Sequence, residues 1–313
     1  QGGGFMLSPT QSQTTSWQDT ATQVAQAIRR RVLEHVILNN GGYLSQACSA
    51  AETLATLYTR IMKLDASQAP LIPGPFAGVP GPNNSHAFTG AAYNGRPDPA
   101  LDRFIFSPAH YALVLYTTLI EVGRLDPEAL REFNKDGSTV EMIGAEHSPG
   151  MEVTSGSLAQ ALSQAAGIAM ARKLRGETGR VWVYMSDGEF QSGQTWETMA
   201  AIAFHKLDNI GIYVDVNQQQ CDGSMASVLD IEPLDERIRG FGAHVVKVDG
   251  HDVEALATPA EAWPEHKPLV VLAYTNPWQG IDLLRSRAPK LHYVRFSGAE
   301  ERQRYADFLA TLH

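Results

Sequence analysis

Apolar residues recur at helical spacing along the first part of the chain. The segment from Thr20 to Asn40 follows this spacing, and the pair Gly41-Gly42 ends it. A second helix is predicted to begin near Ser49, because Glu52 follows three positions later and the two residues fit a capping box. The pattern therefore predicts that the chain opens with two helices.

Short, nearly continuous apolar runs alternate with helical segments in the second half of the chain. The runs RVWVYMS, NIGIYVDV, AHVVKVD and PLVVLAYT read as buried strands, and the helical segments between them are Gly193 to Leu207, PLDERIRGFG and DVEALATPAEAW. Upstream, FIFSPAHYALVLYTTLIEVG reads as a short strand leading into a helix, and Thr154 to Leu174 as an alanine-rich helix. Such alternation predicts an α/β fold, with a doubly wound, mostly parallel sheet and helices on both faces.

The stretch from about residue 65 to residue 102 interrupts this organisation, because it is rich in Gly, Pro and Asn and has no period. It is predicted to be a long loop, either ordered and functional or a disordered excursion.

The opening QGGGF, residues 1–5, is interpreted as the remnant of a tag, with Met6 as the natural first residue. No change of composition within residues 6–313 marks a second domain, so we expect one domain.

The composition narrows the class of protein. The formal net charge is −9 and no dense block of Lys and Arg exists, which argues against nucleic acid as the main partner. No apolar run is long enough to span a membrane, and no secretory signal is evident. Two cysteines are too few for a disulfide framework, so a reducing, cytoplasmic setting is expected.

Polar residues follow two successive predicted strands, in a pattern that indicates a ligand-binding site. Asp187 and Gly188 come directly after one strand, and Asn217 follows the next strand, thirty positions after Asp187. Ligands of doubly wound sheets bind at the carboxyl ends of strands. A carboxylate, an amide oxygen and a backbone carbonyl near Gln219 would suit Mg²⁺, and Gly188 is expected to open a helix whose N-terminus favours a diphosphate. The alternative is an ordinary turn with a helix cap, followed by an ordinary loop.

Several motifs resemble those of transketolases and related thiamine diphosphate enzymes. Ser186-Asp187-Gly188 followed by Asn217 is similar to the family's Gly-Asp-Gly…Asn motif. The stretches SAAETLATLY, DRFIFSPAHYALVLY, PGMEVTSGSLAQALSQAAGIAMA, DGEFQSGQTWE, KLDNI and VDGHD also resemble family segments, and together they cover most of Arg29 to Val271.

The resemblance implies a thiamine diphosphate cofactor held through Mg²⁺ or Ca²⁺, and it implies roles for individual residues. The implied metal ligands are Asp187, Asn217 and the carbonyl of Gln219. The implied cofactor-binding residues are Ser186, Asp187, Gly188, Glu189, Asn217, Gly156, Ser157, Leu158 and His110. The residues implied in catalysis are His110, His147 and His292, together with Glu197, which matches a family glutamate near the subunit interface. His35 and His251 are expected to be structural, and His86 is not assigned.

The chain also departs from the family pattern. Tyr43 replaces a histidine that handles sugar hydroxyls, Ser186 replaces the first Gly of the motif, and Ser192 replaces a common Glu. The loop between Met62 and Arg103 is longer than usual. Because of Tyr43 and this loop, an unusual sugar or secondary-metabolite substrate is expected.

The chain is much shorter than full transketolases, and nothing in it resembles the domain that binds the aminopyrimidine. The resemblance therefore implies the N-terminal subunit of a split transketolase. This subunit would act in an α2β2 heterotetramer with a C-terminal, pyrimidine-binding subunit. The pair would transfer a two-carbon ketol unit from a ketose to an aldehyde. The alternatives are a component of a 2-oxoacid decarboxylase or dehydrogenase and a non-catalytic binding subunit of the same fold.

Overall fold

The computed structural model describes residues 14–79, 81–84 and 89–313. The tag residues 1–5, Met6 and His86 lie outside the described residues. The helices are α1 (Trp17–Leu38), α2 (Leu44–Thr56), α3 (Ala112–Glu121), α4 (Gln160–Leu174), α5 (Gly193–Phe204), α6 (Met225–Val228), α7 (Leu234–Gly240), α8 (Val253–Glu261) and α9 (Ala299–Thr311). The strands are β1 (Gly41–Gly42), β2 (Arg103–Phe106), β3 (Val181–Ser186), β4 (Ile210–Val216), β5 (Gln219–Gln220), β6 (Gly223–Ser224), β7 (His244–Asp249), β8 (Leu269–Tyr274) and β9 (Val294–Arg295).

A five-stranded parallel sheet in the order β2-β3-β4-β8-β7 forms the centre of the fold. Its strands are the apolar runs of the sequence, and β3 and β4 are buried along their whole length. Parallel strands require crossover connections, which helices provide here. The predicted α/β fold class is therefore confirmed.

Successive side chains of each strand enter two different cores. Val183 and Met185 pack in the core that includes helices α4, α5 and α7, whereas Trp182 and Tyr184 pack in the core that includes α1, α2, α3 and α8. This alternation follows from the two-residue period of a strand. Helices thus cover both faces of the sheet, as the sequence predicts.

The predicted start of the second helix is wrong. Helix α2 begins at Leu44, five residues before Ser49, and all of its residues are buried. The Ser49 hydroxyl donates to Asp215 Oδ2 (2.6 Å) instead of capping a helix end. Two other starts also differ. Helix α4 begins at Gln160 rather than Thr154, and Gly188 lies in a 3₁₀ turn, Asp187–Gln191, ahead of α5.

A small antiparallel pair, β1 with β9, joins two distant parts of the chain. Gly41 pairs with Arg295 and Gly42 with Val294. A Cβ at Gly41 would lie 2.8 Å from the carbonyl oxygen of Val294, so only glycine permits this approach. The pairing places Tyr43, the residue after β1, beside the segment that precedes β9.

The long loop contains packed structure in its described part. A 3₁₀ turn, Gly90–Asn94, buries Tyr93 and Asn94. Arg124 Nη1 donates to the carbonyls of Asp65 and Tyr93 (2.9 Å each), which ties this loop to the end of α3. No helix of the described residues has the length and apolar character needed to cross a membrane.

We expect His35 to make the protein less stable in acid. His35 lies buried in α1 against the ring of Phe133, and burial lowers its pKa to about 4. An unfolded histidine titrates near 6.5, so the unfolded state binds a proton first as the pH falls below that value. At pH 5 this difference costs about 2 kcal/mol of folding free energy. Urea unfolding of wild type and His35→Leu at pH 7.5 and pH 5 measures this loss of folding free energy.

The expected result is that wild type loses about 2 kcal/mol more than His35→Leu between the two pH values. The exposed His266→Leu serves as the matched control, and its pH dependence should equal that of wild type. Equal pH dependence of wild type and His35→Leu would contradict the assignment of a buried, neutral imidazole.

Candidate active site

A cleft of about 290 Å³ opens at the carboxyl ends of β2, β3 and β4. Most of the residues predicted from sequence line it: His110, Gly156, Leu158, Ser186, Asp187, Gly188, Asn217, Gln219 and His292. The carboxyl ends of adjacent parallel strands meet at one edge of the sheet, which brings the polar residues after β3 and β4 together.

Asp187 carries the carboxylate at the end of β3. Its side chain is buried, and Oδ2 accepts a hydrogen bond from the backbone N–H of Gln218 (2.8 Å). Burial raises the pKa of Asp187 well above its usual value, and the charge of nearby Asp215 adds to this effect. A cation bound beside Asp187 would relieve both effects, so this carboxylate suits a divalent metal ion.

Asn217 faces the same cleft from the end of β4. Its Oδ1 accepts from the backbone N–H of Gln219 (3.0 Å), and its Nδ2 donates to the hydroxyl of Tyr111 (3.2 Å). The described residues hold no cluster of three or more Asp, Glu, His or Cys side chains suited to a metal. The oxygens of Asp187, Asn217 and Gln219 still fit Mg²⁺, because this ion takes few protein ligands and fills its octahedron with phosphate and water.

Asp215 lies beneath these residues as a buried acceptor that the sequence interpretation did not identify. Its Oδ2 accepts from the hydroxyls of Ser49 (2.6 Å) and Tyr111 (2.9 Å), and its Oδ1 from the hydroxyl of Thr275 (2.5 Å). Asn217 Nδ2 lies 3.4 Å from Oδ2. Burial raises the pKa of Asp215. The carboxylate therefore joins α2, β4, the end of β8 and the turn before α3 under the floor of the cleft.

Glu189 supports the cleft from behind and does not line it. Its side chain accepts from the backbone N–H of Ser186 (2.9 Å) and of Ala159 (3.0 Å), and from the Ser107 hydroxyl. With Ser186 it forms a capping box, the arrangement that the sequence had suggested for Ser49 and Glu52. The bond to Ala159 fixes the backbone next to Leu158 on the cleft wall.

Two histidines and a tyrosine form an aromatic group at the cleft. The rings of His110 and His292 lie 5.2 Å apart, and Tyr43 contacts both at 5.6 Å. Burial lowers the pKa of His110 to about 3 and also lowers that of His292, so both imidazoles are neutral at pH 7. Burial likewise raises the pKa of Tyr43, whose hydroxyl stays protonated.

The segment that carries His292 is tied to the first turn of α2. Gln46 Nε2 donates to the carbonyl of His292 (2.8 Å), and the Ser45 hydroxyl donates to the carbonyl of Leu291 (2.8 Å). Both side chains line the cleft, as do Gln191 and Cys221. Sequence reasoning did not identify these four residues, and the contacts of Ser45 and Gln46 depend on the pairing of β1 with β9.

The remaining predicted residues lie away from the cleft lining. His147 binds Glu141 through Nε2 (3.0 Å) and packs on Phe76. Glu197 is exposed on α5, and Ser157 is exposed beside Leu158. His251 accepts from the backbone N–H of Asn276 (2.8 Å) through Nε2 and binds Glu52 through Nδ1 (3.1 Å), a structural setting as expected.

The cleft lining is poor in cationic side chains. Among the described residues that line it, none is lysine or arginine. Gly188 has open space on the side where a Cβ would stand, so its backbone is accessible from the cleft. Anion binding in the cleft would therefore depend on backbone N–H groups and a metal ion rather than on cationic side chains.

Comparisons with known proteins agree with this geometry. Residues 93–276 match the family described as "Transketolase, thiamine diphosphate binding domain". A transketolase family protein of Sinorhizobium fredii is 33% identical over 284 residues, which cover 88% of this chain and 90% of that protein. A protein of Actinobacillus succinogenes, named as one subunit of an apulose-4-phosphate transketolase, is 30% identical, with 90% of this chain and 93% of that protein covered.

The fold is also similar to that of solved transketolases. The structure of transketolase from Campylobacter jejuni aligns with a TM-score of 0.71 and 21% sequence identity, over 93% of this chain and 43% of that chain. This chain therefore spans less than half the length of that enzyme. The profile match, together with two relatives of at least 30% identity aligned along nearly their whole length, places the chain in the transketolase family.

Proposed function

We propose that this chain is the N-terminal subunit of a split, thiamine diphosphate-dependent transketolase. The observation that carries the proposal is the convergence of Asp187, Gly188, Asn217 and Gln219 on one cleft at the carboxyl ends of β3 and β4. The similarity to a protein that is named as one subunit of a transketolase, along nearly its whole length, supports the split arrangement.

In this proposal, Asp187, Asn217 and the carbonyl of Gln219 hold Mg²⁺ or Ca²⁺, and the backbone N–H of Gly188 binds the diphosphate. Ser186 permits close approach of the backbone, and Gly156, Ser157 and Leu158 lie along the aminopyrimidine. When bound, thiamine diphosphate would supply the nucleophilic carbon needed for transfer of a two-carbon ketol unit. Glu189 contributes by holding the walls formed by Ser186 and Ala159.

His110 and His292 are proposed to handle substrate hydroxyls. Because both imidazoles are neutral at pH 7, each can accept a proton at one ring nitrogen and donate from the other. His110 is also proposed to contact the cofactor. Tyr43 replaces the usual histidine, and its hydroxyl can donate a hydrogen bond without changing charge. His147 keeps its predicted catalytic role only if it moves from Glu141, and Glu197 is proposed to lie at the subunit interface.

The second subunit is proposed to complete the active site in an α2β2 assembly. It would supply the pyrimidine-binding domain, the glutamate that activates the cofactor and the residues that bind the anionic group of the substrate. The absence of lysine and arginine from the described cleft lining supports this division of roles between the two subunits.

A phosphorylated or otherwise modified ketose is the proposed donor. The relative named for apulose-4-phosphate supports this class of substrate. Two free cysteines fit a cytoplasmic location.

Purification of the chain from its native host tests the proposal. Mass spectrometry is expected to identify a stoichiometric partner that carries a pyrimidine-binding domain. The pair should bind thiamine diphosphate with Mg²⁺ and transfer a two-carbon unit between sugars without releasing CO₂.

Each alternative has its own outcome. Release of CO₂ from a 2-oxoacid would favour the decarboxylase or dehydrogenase component. Failure of the pair to bind thiamine diphosphate would favour a non-catalytic binding subunit. Recovery of the chain only with itself would rule out the split enzyme.

A further inference from the structure

A second cavity, of about 540 Å³, lies at the opposite edge of the sheet from the cleft. Asp102 precedes β2 and Arg180 precedes β3, so the cavity is located at the amino ends of these strands. Its volume lies within the range of small-molecule sites, about 300–1,000 Å³. The proposed transketolase function makes no use of it.

Three cationic side chains from two segments of the chain line this cavity. Arg60 belongs to a π-helical turn, Leu57–Ile61, which continues α2, and π-helical turns are frequent at functional sites. Lys63 lies in the loop that follows, and Arg180 lies before β3. The chain as a whole carries a net charge of −9, so the excess of cations at this cavity is opposite in sign to the overall charge.

Two carboxylates, Asp102 and Glu261, line the same cavity as the three cations, so one positive charge remains in excess. Asp102 is buried and its oxygens are occupied: Oδ2 accepts from the backbone N–H of Lys63 and from Trp182 Nε1 (2.9 Å each), and Oδ1 from the backbone N–H of Arg180 (2.8 Å). Glu261 is exposed and lies 3.7 Å from Arg60. Lys63 Nζ forms no ion pair or hydrogen bond with any described residue.

Contacts within the fold hold the Arg180 side chain in place and fix the main chain of Lys63, whose side chain is exposed. Asp102 fixes the main chain of both Lys63 and Arg180. The guanidinium of Arg180 lies over the ring of Trp263, 4.2 Å from its centroid, and Nη1 donates to the carbonyl of Ala260 (3.1 Å). An ordered guanidinium loses less entropy when it binds an anion, so Arg180 is positioned before any ligand arrives.

We propose that this cavity is a binding site for a small phosphorylated metabolite. Lys63 and Arg180 are the principal phosphate ligands, and Arg60 contributes from the rim. Phosphate suits this geometry because its oxygens accept several charge-assisted hydrogen bonds at once. The site lies away from the cofactor cleft and does not depend on the proposed transketolase activity.

Labelling of the intact chain with a phosphate-bearing reagent tests the site, because it shows which lysine reacts first. Pyridoxal 5′-phosphate condenses with a lysine amine, water leaves, and borohydride reduces the resulting imine to a stable amine. Peptide mass spectrometry should find Lys63 labelled about tenfold faster than Lys135 and Lys267, which are exposed as Lys63 is but lie outside the cavity. Pyridoxal, which lacks phosphate, should show no such preference, and glycerol 3-phosphate should protect Lys63.

The Arg60→Gln variant gives a second measurement. Arg60 is exposed, so the fold should persist, and labelling of Lys63 should fall severalfold while Lys135 is unchanged. Equal protection by inorganic phosphate and glycerol 3-phosphate would identify free phosphate as a sufficient occupant. Labelling of Lys63 at the rate of Lys135, or protection only by the second polypeptide, would overturn the proposal.

Discussion

Replacing Asp187 by alanine is expected to abolish binding of thiamine diphosphate with Mg²⁺ and to lower the activity of the reconstituted pair at least about 10³-fold. Asp187 is the only carboxylate in the proposed ligand set of the metal, and hard divalent cations depend on anionic oxygen ligands. Asp187→Asn keeps an acceptor for the backbone N–H of Gln218. It should therefore fold normally and still bind the cofactor poorly.

Calorimetric titration of the pair with thiamine diphosphate, at saturating and at zero Mg²⁺, separates metal binding from folding. Asp307→Asn is the matched control, because Asp307 is exposed on α9 and does not line the cleft. It should change affinity by less than about twofold. Unchanged Mg²⁺-dependent affinity in Asp187→Asn would show that the metal is held elsewhere.

Replacing Asp215 by alanine is expected to destabilise the fold by about 3–5 kcal/mol. The substitution leaves the buried hydroxyls of Ser49, Tyr111 and Thr275 without their common acceptor. It also frees the side chain of Asn217, which faces the cleft next to Asp187. We therefore expect weaker binding of thiamine diphosphate even at temperatures where the variant is folded.

Thermal unfolding and cofactor titration measure the two effects of Asp215→Ala separately. The melting temperature should fall by about 5–10 °C. Asp136→Ala, a change of an exposed aspartate, should alter stability by less than about 0.5 kcal/mol. A melting temperature equal to that of the control would mean that the buried hydroxyls find other acceptors.

The part of the site that could be predicted depends on the order of residues along the sequence and on sheet topology. Asp187 and Asn217 each follow an apolar run, and the alternation of strands and helices implies that those runs are parallel. Parallel neighbours place their carboxyl ends together, so the proximity of the two residues follows from the pattern alone. The fold class and the position of the candidate metal site could therefore both be predicted.

The rest of the site depends on contacts between residues far apart in sequence. Gln46 reaches the carbonyl of His292 only because β1 pairs with β9, and two-residue strands leave no periodic signal. The capping-box prediction failed at Ser49 because α2 is buried throughout, which removes the contrast between polar and apolar faces. Local sequence patterns reveal neither the pairing of β1 with β9 nor the burial of α2 on all sides.

Among the residues that the structure describes, the cleft lining contains neither lysine nor arginine, and this has a consequence for evolution. If the charged end of the substrate is recognised by a separate polypeptide, preference for that charge can change without any substitution in this chain. Duplication of the gene for the second subunit could then create a new specificity while the metal ligands stay under unchanged selection. One cofactor-binding subunit could serve several such partners in the same cell.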